Sequence, residues 1–500
     1  MPGPFYLTIL TLLPLAGALA VAAAGPRRGA SRAVALVTAL VELGLTLWCL
    51  GLGSGASTGP AGWLLWEDWP WVPALGLNWT LGLDGISLVL LLLTAFLQIL
   101  CVLVSWHRPL ERPQLYYGAL LVLQGGVNGV FLAQDLFLFY LFWELQIIPL
   151  FFLVGIWGHE NRVHASFKLI LFTMAGSVLL LVGFLGLYAL HGAATGTYTF
   201  SLPALLAHPP GETAQLWLMA ALLVGFAVKV PVVPLHTWLP EAHTQAPVAG
   251  SVMLAGVLLK TGAYAILRLA LPLLPLAASR AAPLLLFLAL TGLFYAAWVA
   301  RAQEDLKRLV AYSSISHLAL VILGLAAWNL VSLSGAVLQM INHGLSTSAL
   351  FLLAGMLEER LHSRRLADMG GLWTSMPVFA AFFLFFAMAS LGLPGLNNFP
   401  GELLVLVGTF QNHPAAAVLG FTGLLWGVVY VLRMIQATIF GPAKPEAAVW
   451  DLSGREVLIL GSLALAVLFM GLAPGVVLDL VQPPLAALAT AGGPSLAAAF

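Results

Sequence analysis

The sequence has little charge and almost no cysteine. Only 8% of its 500 residues are charged, against roughly 25% in a typical soluble domain, so a water-facing globular surface is excluded. The two cysteines, Cys49 and Cys101, lie in apolar runs and are too few for a disulfide framework, a zinc site or an iron–sulfur cluster. Acidic and basic residues number 20 each, so no basic excess points to nucleic acid.

Long hydrophobic runs are abundant, since 61% of the residues are hydrophobic. A helix needs roughly 20 apolar residues to cross a bilayer. The first run counts as a span rather than a signal peptide, because Met1–Pro4 contains no basic residue. We predict about fourteen spans, at residues 4–25, 31–53, 81–106, 114–132, 136–157, 165–190, 214–235, 246–270, 282–302, 308–328, 334–357, 376–410, 415–440 and 456–478.

The charges between these runs alternate along the chain. Loops after odd-numbered spans hold 16 of the 20 basic residues, whereas the other face has only Arg268 and Arg280. Basic loops stay on the cytoplasmic side of a membrane. This alternation supports an even number of spans, with both termini on the outer side.

Ionisable residues also occur inside the spans, where a charge costs a few kcal/mol. At a rise of about 1.5 Å per residue, Lys229 and Lys260 lie roughly 20 Å deep. Glu144, His317 and His343 lie about 12–14 Å deep. These five residues therefore lie near the mid-plane, on separate helices, as a continuous line of titratable groups would. The full set is Glu42, Glu144, Lys229, Lys260, His317, His343 and Glu402.

Simpler interpretations remain for some of these charges. Glu42 equally fits a hydroxyl partner on a neighbouring helix, and Lys168 near a helix end fits snorkelling to the interface. Asp84 and Asp135 begin spans, where the helix dipole favours an acid. A mid-membrane lysine must be neutral or paired, and Glu144 is the candidate partner of Lys229.

Two spans contain interior prolines, which remove backbone donors and break helices. Pro231 and Pro234 follow Lys229 in the seventh span, and Pro394 and Pro400 precede Glu402 in the twelfth. Unwound backbone at membrane depth is tolerated only where it lines protein or water. The breaks lie five spans apart, which is typical of inverted repeats with the site at the unwound segments. The alternative is two proline kinks without a repeat.

The sequence thus predicts an all-α polytopic membrane protein with two inverted five-helix repeats, each with a broken helix. The predicted units are residues 1–106 with spans 1–3, 107–270 with spans 4–8, 271–440 with spans 9–13, and 441–500 with span 14 and a tail.

Several stretches resemble the antiporter-like subunits of respiratory complex I. They are FWELQIIPLFFLVGIWG at 142–158, KVPVVPLHTWLPEAHTQAPVAGS at 229–251, LLKTGAY at 258–264, DLKRLVAYSSISH at 305–317 and NHG at 342–344. Together they cover about residues 80 to 440. Glu402 distinguishes this sequence from many members of the family. The sister subunits and most cation/proton antiporter homologues carry lysine in the second broken helix.

The resemblance assigns roles to the membrane charges. It implies an ion pair of Glu144 and Lys229 in a first half-channel, with Lys260 as the connecting residue. His317 and His343 would bridge to Glu402 at the exit. His236, just beyond the first break, would help to form the proton input route. Glu42 receives no role from the resemblance.

The resemblance also implies the function. The chain would be a proton-translocating membrane-arm subunit of NADH:quinone oxidoreductase, in the bacterial cytoplasmic membrane, driven by quinone reduction elsewhere. It would bind no cofactor itself and catalyse no electron transfer alone. Flavin, iron–sulfur clusters and quinone are expected in partner subunits, which include sister antiporter-like subunits.

Two other classes of function remain open at this stage. A subunit of a multisubunit Na⁺/H⁺ antiporter shares nearly all these motifs, as do subunits of membrane-bound hydrogenases and photosynthetic relatives of complex I. A stand-alone membrane enzyme acting on lipids would need an acid–base cluster in an outer loop. The longest loops, 54–80 and 191–213, offer none.

Overall fold

The computed structural model describes residues 5–51, 62–108, 110–442 and 450–491. Short helical turns at Pro73–Leu75, Leu202–Ala207, Leu366–Asp368 and Leu372–Ser375 join the main elements. The main elements are α1 (Tyr6–Ala23), α2 (Arg28–Leu50), β1 (Leu65–Val72), β2 (Leu77–Leu83), α3 (Gly85–Val104), α4 (Pro113–Leu132), α5 (Leu136–Trp157), α6 (Arg162–Thr195), α7 (Glu212–Lys229), α8 (Trp238–Gln245), α9 (Val248–Leu273), α10 (Pro275–Ala302), α11 (Leu306–Ala327), α12 (Leu330–Leu361), α13 (Pro377–Ser390), α14 (Asn398–Asn412), α15 (Pro414–Thr438), α16 (Gly454–Leu472) and α17 (Gly475–Ala491).

The predicted class, an all-α protein that crosses the membrane many times, is confirmed. Within the described ranges, 13 helices are long and apolar enough to span a bilayer. They match the predicted spans except the twelfth, which consists of the two shorter helices α13 and α14. The sixth span is longer than predicted, because its helix continues without a breaker from Arg162 to Thr195.

The helices are not equally buried. Helices α9, α11 and α12 are almost fully enclosed by other helices, whereas α6 and α15 expose apolar side chains along one face. Exposed residues such as Leu171 and Val178 suit contact with lipid or with other apolar helices. The enclosed helices carry Lys260, His317 and His343, so the titratable residues lie in the centre of the bundle.

A β-hairpin precedes α3, in a stretch that the sequence suggested only as a loop. Strands β1 and β2 pair antiparallel, and Gly76 supplies the positive φ of 65° at the turn. The Glu67 carboxylate accepts hydrogen bonds from the backbone N–H groups of Leu7 and Thr8, at 2.6 and 3.0 Å. Since a helix N-terminus favours an anion, the hairpin stabilises the start of α1.

Helix α17 was also not predicted, because the sequence suggested a tail after the fourteenth span. It packs against α3 and α12. Gly85, the first residue of α3, lies so close to it that a Cβ there would stand 1.7 Å from the Leu480 carbonyl oxygen. The last described helix therefore contacts the third span directly.

Asp84 and Arg268 form a buried ion pair between α3 and α9. Asp84 is 1% exposed and Arg268 5% exposed, and the Arg268 guanidinium donates to the Asp84 carboxylate. Asp84 also accepts from the backbone N–H of Ser87, as the predicted N-terminal acid would. Arg268, one of the two basic residues assigned to the outer face, is thus neutralised inside the protein.

Replacing Arg268 by leucine is expected to destabilise the protein by about 3–5 kcal/mol, because Asp84 would remain buried without its counter-charge. The measurement is the melting temperature in detergent. Replacing both residues, as Asp84→Asn with Arg268→Leu, should recover most of the loss. An unchanged melting temperature for the single variant would contradict the assigned ion pair.

Candidate functional site

The first helix break lies beside Lys229. Helix α7 ends at Lys229 and α8 begins at Trp238, so Pro231 and Pro234 both lie in the unwound segment, as predicted. The Trp238 indole N–H donates to the Val228 carbonyl at 3.0 Å and partly replaces the lost helical hydrogen bonds. The Lys229 ammonium therefore lies at a helix C-terminus, where the dipole favours a cation.

Glu144 and Lys229 do not form a closed ion pair in the described chain. The Glu144 carboxylate accepts a hydrogen bond from the Ser177 hydroxyl on α6. The Lys229 Nζ instead lies 4.7 Å from the centre of the Trp143 ring, a cation–π distance. Trp143 directly precedes Glu144 in the chain, so Lys229 and Glu144 are neighbours without direct contact.

The second break separates α13 from α14. Pro394 lies in the unwound segment, but Pro400 does not: it is the third residue of α14. Pro400 is tolerated there because a first-turn N–H has no helical acceptor. Its assignment to the break was wrong for this reason.

Asparagine side chains hold the second break against α12. This contact was not predicted from the sequence. The Asn342 side-chain amide donates to the Asn397 carbonyl at 2.5 Å, and the Asn397 amide donates to the Asn342 carbonyl at 2.8 Å. Asn398 donates to the Ser346 hydroxyl at 3.2 Å. The first of these bonds satisfies the Asn397 backbone carbonyl in the unwound segment, and the other two tie the break to α12.

Four of the predicted residues form one continuous chain through the centre. Lys260 Nζ lies 2.8 Å from His343 Nδ1, and the His343 and His317 rings are 5.6 Å apart. His317 Nδ1 in turn lies 3.6 Å from the Glu402 Oε1. All four residues are less than 10% exposed. Titratable groups thus lie next to one another from the interior of α9 to α14.

Lys229 and Lys260 are joined less directly. Gly262, two residues beyond Lys260, packs against Lys229, where an added Cβ would lie 3.2 Å from the Lys229 Cβ. A cavity of about 10 Å³, close to the space that one water occupies, lies against Lys229, Leu258 and Leu259. Lys260 also donates to the Ala255 carbonyl within a π-helical segment of α9, Leu254–Leu258.

His236 lies in the first unwound segment, 3% exposed, with neither ring nitrogen bonded to protein. A polar cavity of about 380 Å³ is lined nearby by Glu241, His164 and Arg308. Lys168 donates to Glu241 at 2.7 Å, so it is paired rather than free at the interface. Glu241, which lines this cavity, lies five residues beyond His236 in the chain, but His236 itself does not line it.

Sequence reasoning missed a second polar cluster, which lies on the same side of the membrane as the cavity lined by Glu241, His164 and Arg308. Lys307 is fully buried and lies 2.7 Å from Glu358, which also contacts His159 at 3.5 Å. His243 is fully buried, and neither of its ring nitrogens has a hydrogen-bond partner among the described residues. Lys307 belongs to a basic loop in the sequence, and nothing in its spacing from Glu358 indicates that the two residues lie together.

His159 belongs to this cluster but lies outside the spans, between α5 and α6. Burial, reinforced by the nearby charge of Lys307, lowers the pKa of His159 to about 4. An unfolded histidine titrates near 6.5. Between these values the unfolded chain binds more protons, so stability rises with pH from about 4 to 6.5.

Wild-type protein is therefore expected to lose more melting temperature between pH 7.5 and pH 5 than a His159→Gln variant. Both would be measured in detergent. His164→Gln is the matched control, because His164 is 76% exposed and should leave the wild-type slope unchanged. Equal slopes for wild type and His159→Gln would contradict the assignment.

Comparison with known proteins agrees with this geometry. Residues 133–426 match the family described as NADH:quinone oxidoreductase/Mrp antiporter, TM. NADH-quinone oxidoreductase subunit M of Pseudomonas aeruginosa is 44% identical over 459 residues, and that of Escherichia coli K12 is 42% identical over 459 residues. Each alignment covers 90% of both chains.

Solved structures share the fold. A chain of respiratory complex I from Thermus thermophilus with bound NADH has a TM-score of 0.88 and 34% identity, covering 97% of this chain and 100% of that one. A chain of the Mrp complex from Dietzia sp. DQ12-45-1b has a TM-score of 0.84 at 21% identity, covering 98% of each chain, and supports the fold alone. The resemblance to antiporter-like subunits is thereby confirmed. The chain belongs to the NADH:quinone oxidoreductase/Mrp antiporter transmembrane family, and within it is similar to the proteins named subunit M.

Proposed function

We propose that this chain moves protons across the membrane as one subunit of a redox-driven NADH:quinone oxidoreductase. The observation that carries the proposal is the buried chain Lys260–His343–His317–Glu402, which links the interior of α9 to the second helix break. Its members hold or transfer protons, and their burial keeps water from bypassing them.

The first step is the approach and withdrawal of Glu144 from Lys229. Their attraction is strong in a low-dielectric interior, so a nearby carboxylate favours the protonated lysine. The Ser177 hydrogen bond gives Glu144 a second resting position away from the lysine. When Glu144 takes that position, Lys229 releases its proton towards Lys260.

The second step carries the proton from Lys260 to Glu402. His343 accepts it at 2.8 Å, and His317 passes it on to the carboxylate. The unwound segments beside Lys229 and Glu402 supply backbone groups that hold water at each end. The cavity near His236 is the input route, from the side that carries the basic loops.

The energy for these steps comes from outside this chain. Flavin, iron–sulfur clusters and quinone belong to partner subunits, and sister antiporter-like subunits lie alongside in the membrane arm. The membrane is the bacterial cytoplasmic membrane, with both termini on its outer side. Residues 107–270 and 271–440 act as two inverted halves, each with its broken span in fourth place.

Cation/proton exchange in a multisubunit antiporter is the second candidate, because the matched family includes Mrp antiporter subunits. The residues and their roles would be the same. Lysine and histidine along the path favour protons over Na⁺, which needs oxygen ligands. The redox function is favoured by the identity to subunit M proteins.

The test is purification of the tagged chain in mild detergent, followed by reconstitution into vesicles. Subunits with flavin and iron–sulfur clusters should co-purify, and NADH with quinone should acidify the vesicle lumen. Glu144→Ala should assemble but abolish acidification, whereas Glu160→Ala, an exposed glutamate near α6, should not. A partner set without redox centres would overturn the redox function, and normal pumping by assembled Glu144→Ala would overturn the proton path.

A further inference from the structure

Glu42 on α2 is a buried carboxyl that the proposed proton path does not use. It is 1% exposed, and its Oε1 accepts a hydrogen bond from the Asn128 side-chain amide at 2.7 Å. The same amide donates its other hydrogen to the Leu10 carbonyl at 3.0 Å. Both amide hydrogens are thus in use, which fixes Oε1 as an acceptor and leaves Oε2 without a protein partner.

No cation neutralises Glu42 among the residues that the structure describes. The titratable side chains that its charge would affect are Tyr6 on α1 and Cys49 on its own helix, and both are ordinarily neutral acids. The Tyr6 hydroxyl donates to the Leu45 carbonyl at 2.6 Å rather than to Glu42. An ionised carboxylate here would be buried without a counter-charge, whereas a carboxylic acid would need only an acceptor for the proton on Oε2.

Glu42 lies at the depth of Glu144. Each carboxyl is roughly 12 Å from the end of its helix, α2 or α5, at a rise of 1.5 Å per residue. The hairpin shows that these two ends share one side of the membrane: it follows α2, and its Thr80 carbonyl accepts from the Gln134 N–H just before α5. Glu42 therefore extends the mid-membrane row of titratable groups into the N-terminal helices.

Unpartnered amides lie on the neighbouring helices α3 and α4. Gln98 on α3 and Gln124 on α4 are fully buried, and neither side chain has a hydrogen-bond partner in the protein. The Ser105–Tyr116 and Ser87–Phe131 hydrogen bonds fix the antiparallel register of these helices. That register places Gln98 level with Gln124.

Gln124 also lies one turn from Asn128, on the same face of α4. Buried amides in an apolar bundle are satisfied by ordered water when protein groups do not bond them. Gln146 continues the series on α5, where its amide donates to the Gly126 carbonyl at 3.3 Å and its Oε1 is unpartnered.

We propose that Glu42 is a proton-binding site, which holds its proton on Oε2 and donates it to ordered water bound by Gln124 and Gln98. The ligands are a proton and one or more water molecules. Asn128 positions the carboxyl by donating to Oε1. This site stores a proton at the level of Glu144 and exchanges it through the water that the glutamines hold.

Infrared difference spectroscopy on the purified complex tests the site directly. At neutral pH, the difference between wild type and Glu42→Gln should contain the C=O band of a protonated carboxylic acid, shifted to lower frequency in D₂O. Asn128→Leu should move this band to higher frequency, because the carbonyl oxygen loses its donor. Gln124→Leu should leave the band in place but slow its shift after transfer to D₂O several-fold.

Two results would overturn the proposal. A carboxylate signal in place of the acid band would show that Glu42 is ionised. If the Glu42 carboxyl exchanges hydrogen for deuterium in Gln124→Leu at the wild-type rate, the proton does not pass through water bound by Gln124. If Glu42→Gln does not assemble, the shift between wild type and Asn128→Leu identifies the band instead. These spectra do not depend on pumping, so failure of the proposed function would leave them unchanged.

Discussion

Replacing Lys260 by methionine is expected to lower the rate of proton translocation on the order of 100-fold, the usual effect of removing a group that transfers protons. Lys260 is fully buried and contacts His343 at 2.8 Å. Methionine fills similar space but cannot hold a proton, so the chain to Glu402 would be interrupted. Lys260 contacts the Ala255 carbonyl and His343 but no carboxylate among the described residues, so its removal leaves no buried counter-charge unpaired and the complex should still assemble.

The measurement is acidification of vesicles that contain the reconstituted complex, normalised to assembled protein. Arg280→Met is the matched control, because Arg280 and its partner Glu212 are 60% and 48% exposed. An exposed ion pair contributes little, so this variant should pump at the wild-type rate. Wild-type pumping by an assembled Lys260→Met complex would show that protons do not pass through this residue.

Gly392→Ala is expected to reduce translocation about tenfold or more, by moving Glu402 rather than by unfolding the protein. A Cβ at Gly392 would lie 2.3 Å from the Glu402 Oε2. The carboxylate is the flexible end of its side chain, so it would rotate away from the methyl group. Its 3.6 Å approach to His317 would then be lost, and each tenfold loss corresponds to about 1.4 kcal/mol in the barrier.

Gly395→Ala separates this effect from backbone strain. Both glycines lie in the second break at positive φ, 69° and 90°, where alanine costs about 1–2 kcal/mol. At Gly395 the nearest atom to an added Cβ is Leu472 Cδ2 at 4.0 Å, and Glu402 is not touched. Both variants should therefore lose similar stability, but only Gly392→Ala should lose most of its pumping. Equal pumping by the two would exclude a collision with Glu402.

The sequence predicted the spans and the breaks because the membrane constrains both strongly. The bilayer requires about 20 apolar residues for each crossing, and prolines such as Pro231 and Pro394 cannot continue a helix. Lys229 and Glu402 were therefore correctly placed beside unwound backbone. Their roles in proton transfer came from the family resemblance and remain a proposal.

Features that depend on distant partners could not be predicted. Asn342 on α12 and Asn397 in the second break bond each other's carbonyls, and an isolated asparagine in a sequence does not indicate its partner. The same holds for Lys307 with Glu358 and for Asp84 with Arg268. The hairpin was missed because its aromatic side chains do not alternate with polar ones as a half-buried strand requires.

The contact of α17 with Gly85 has a consequence for biosynthesis. The third span enters the membrane early, yet its first residue, Gly85, packs against the Leu480 carbonyl, which the ribosome supplies 395 residues later. Until α17 has been made, the surface of α3 around Gly85 must therefore stay in the bilayer without its packing partner. A chain that stops before α17 would retain every residue of the proton path. The surface of its third span that packs against α17 would, however, stay uncovered, and membrane proteases could recognise it.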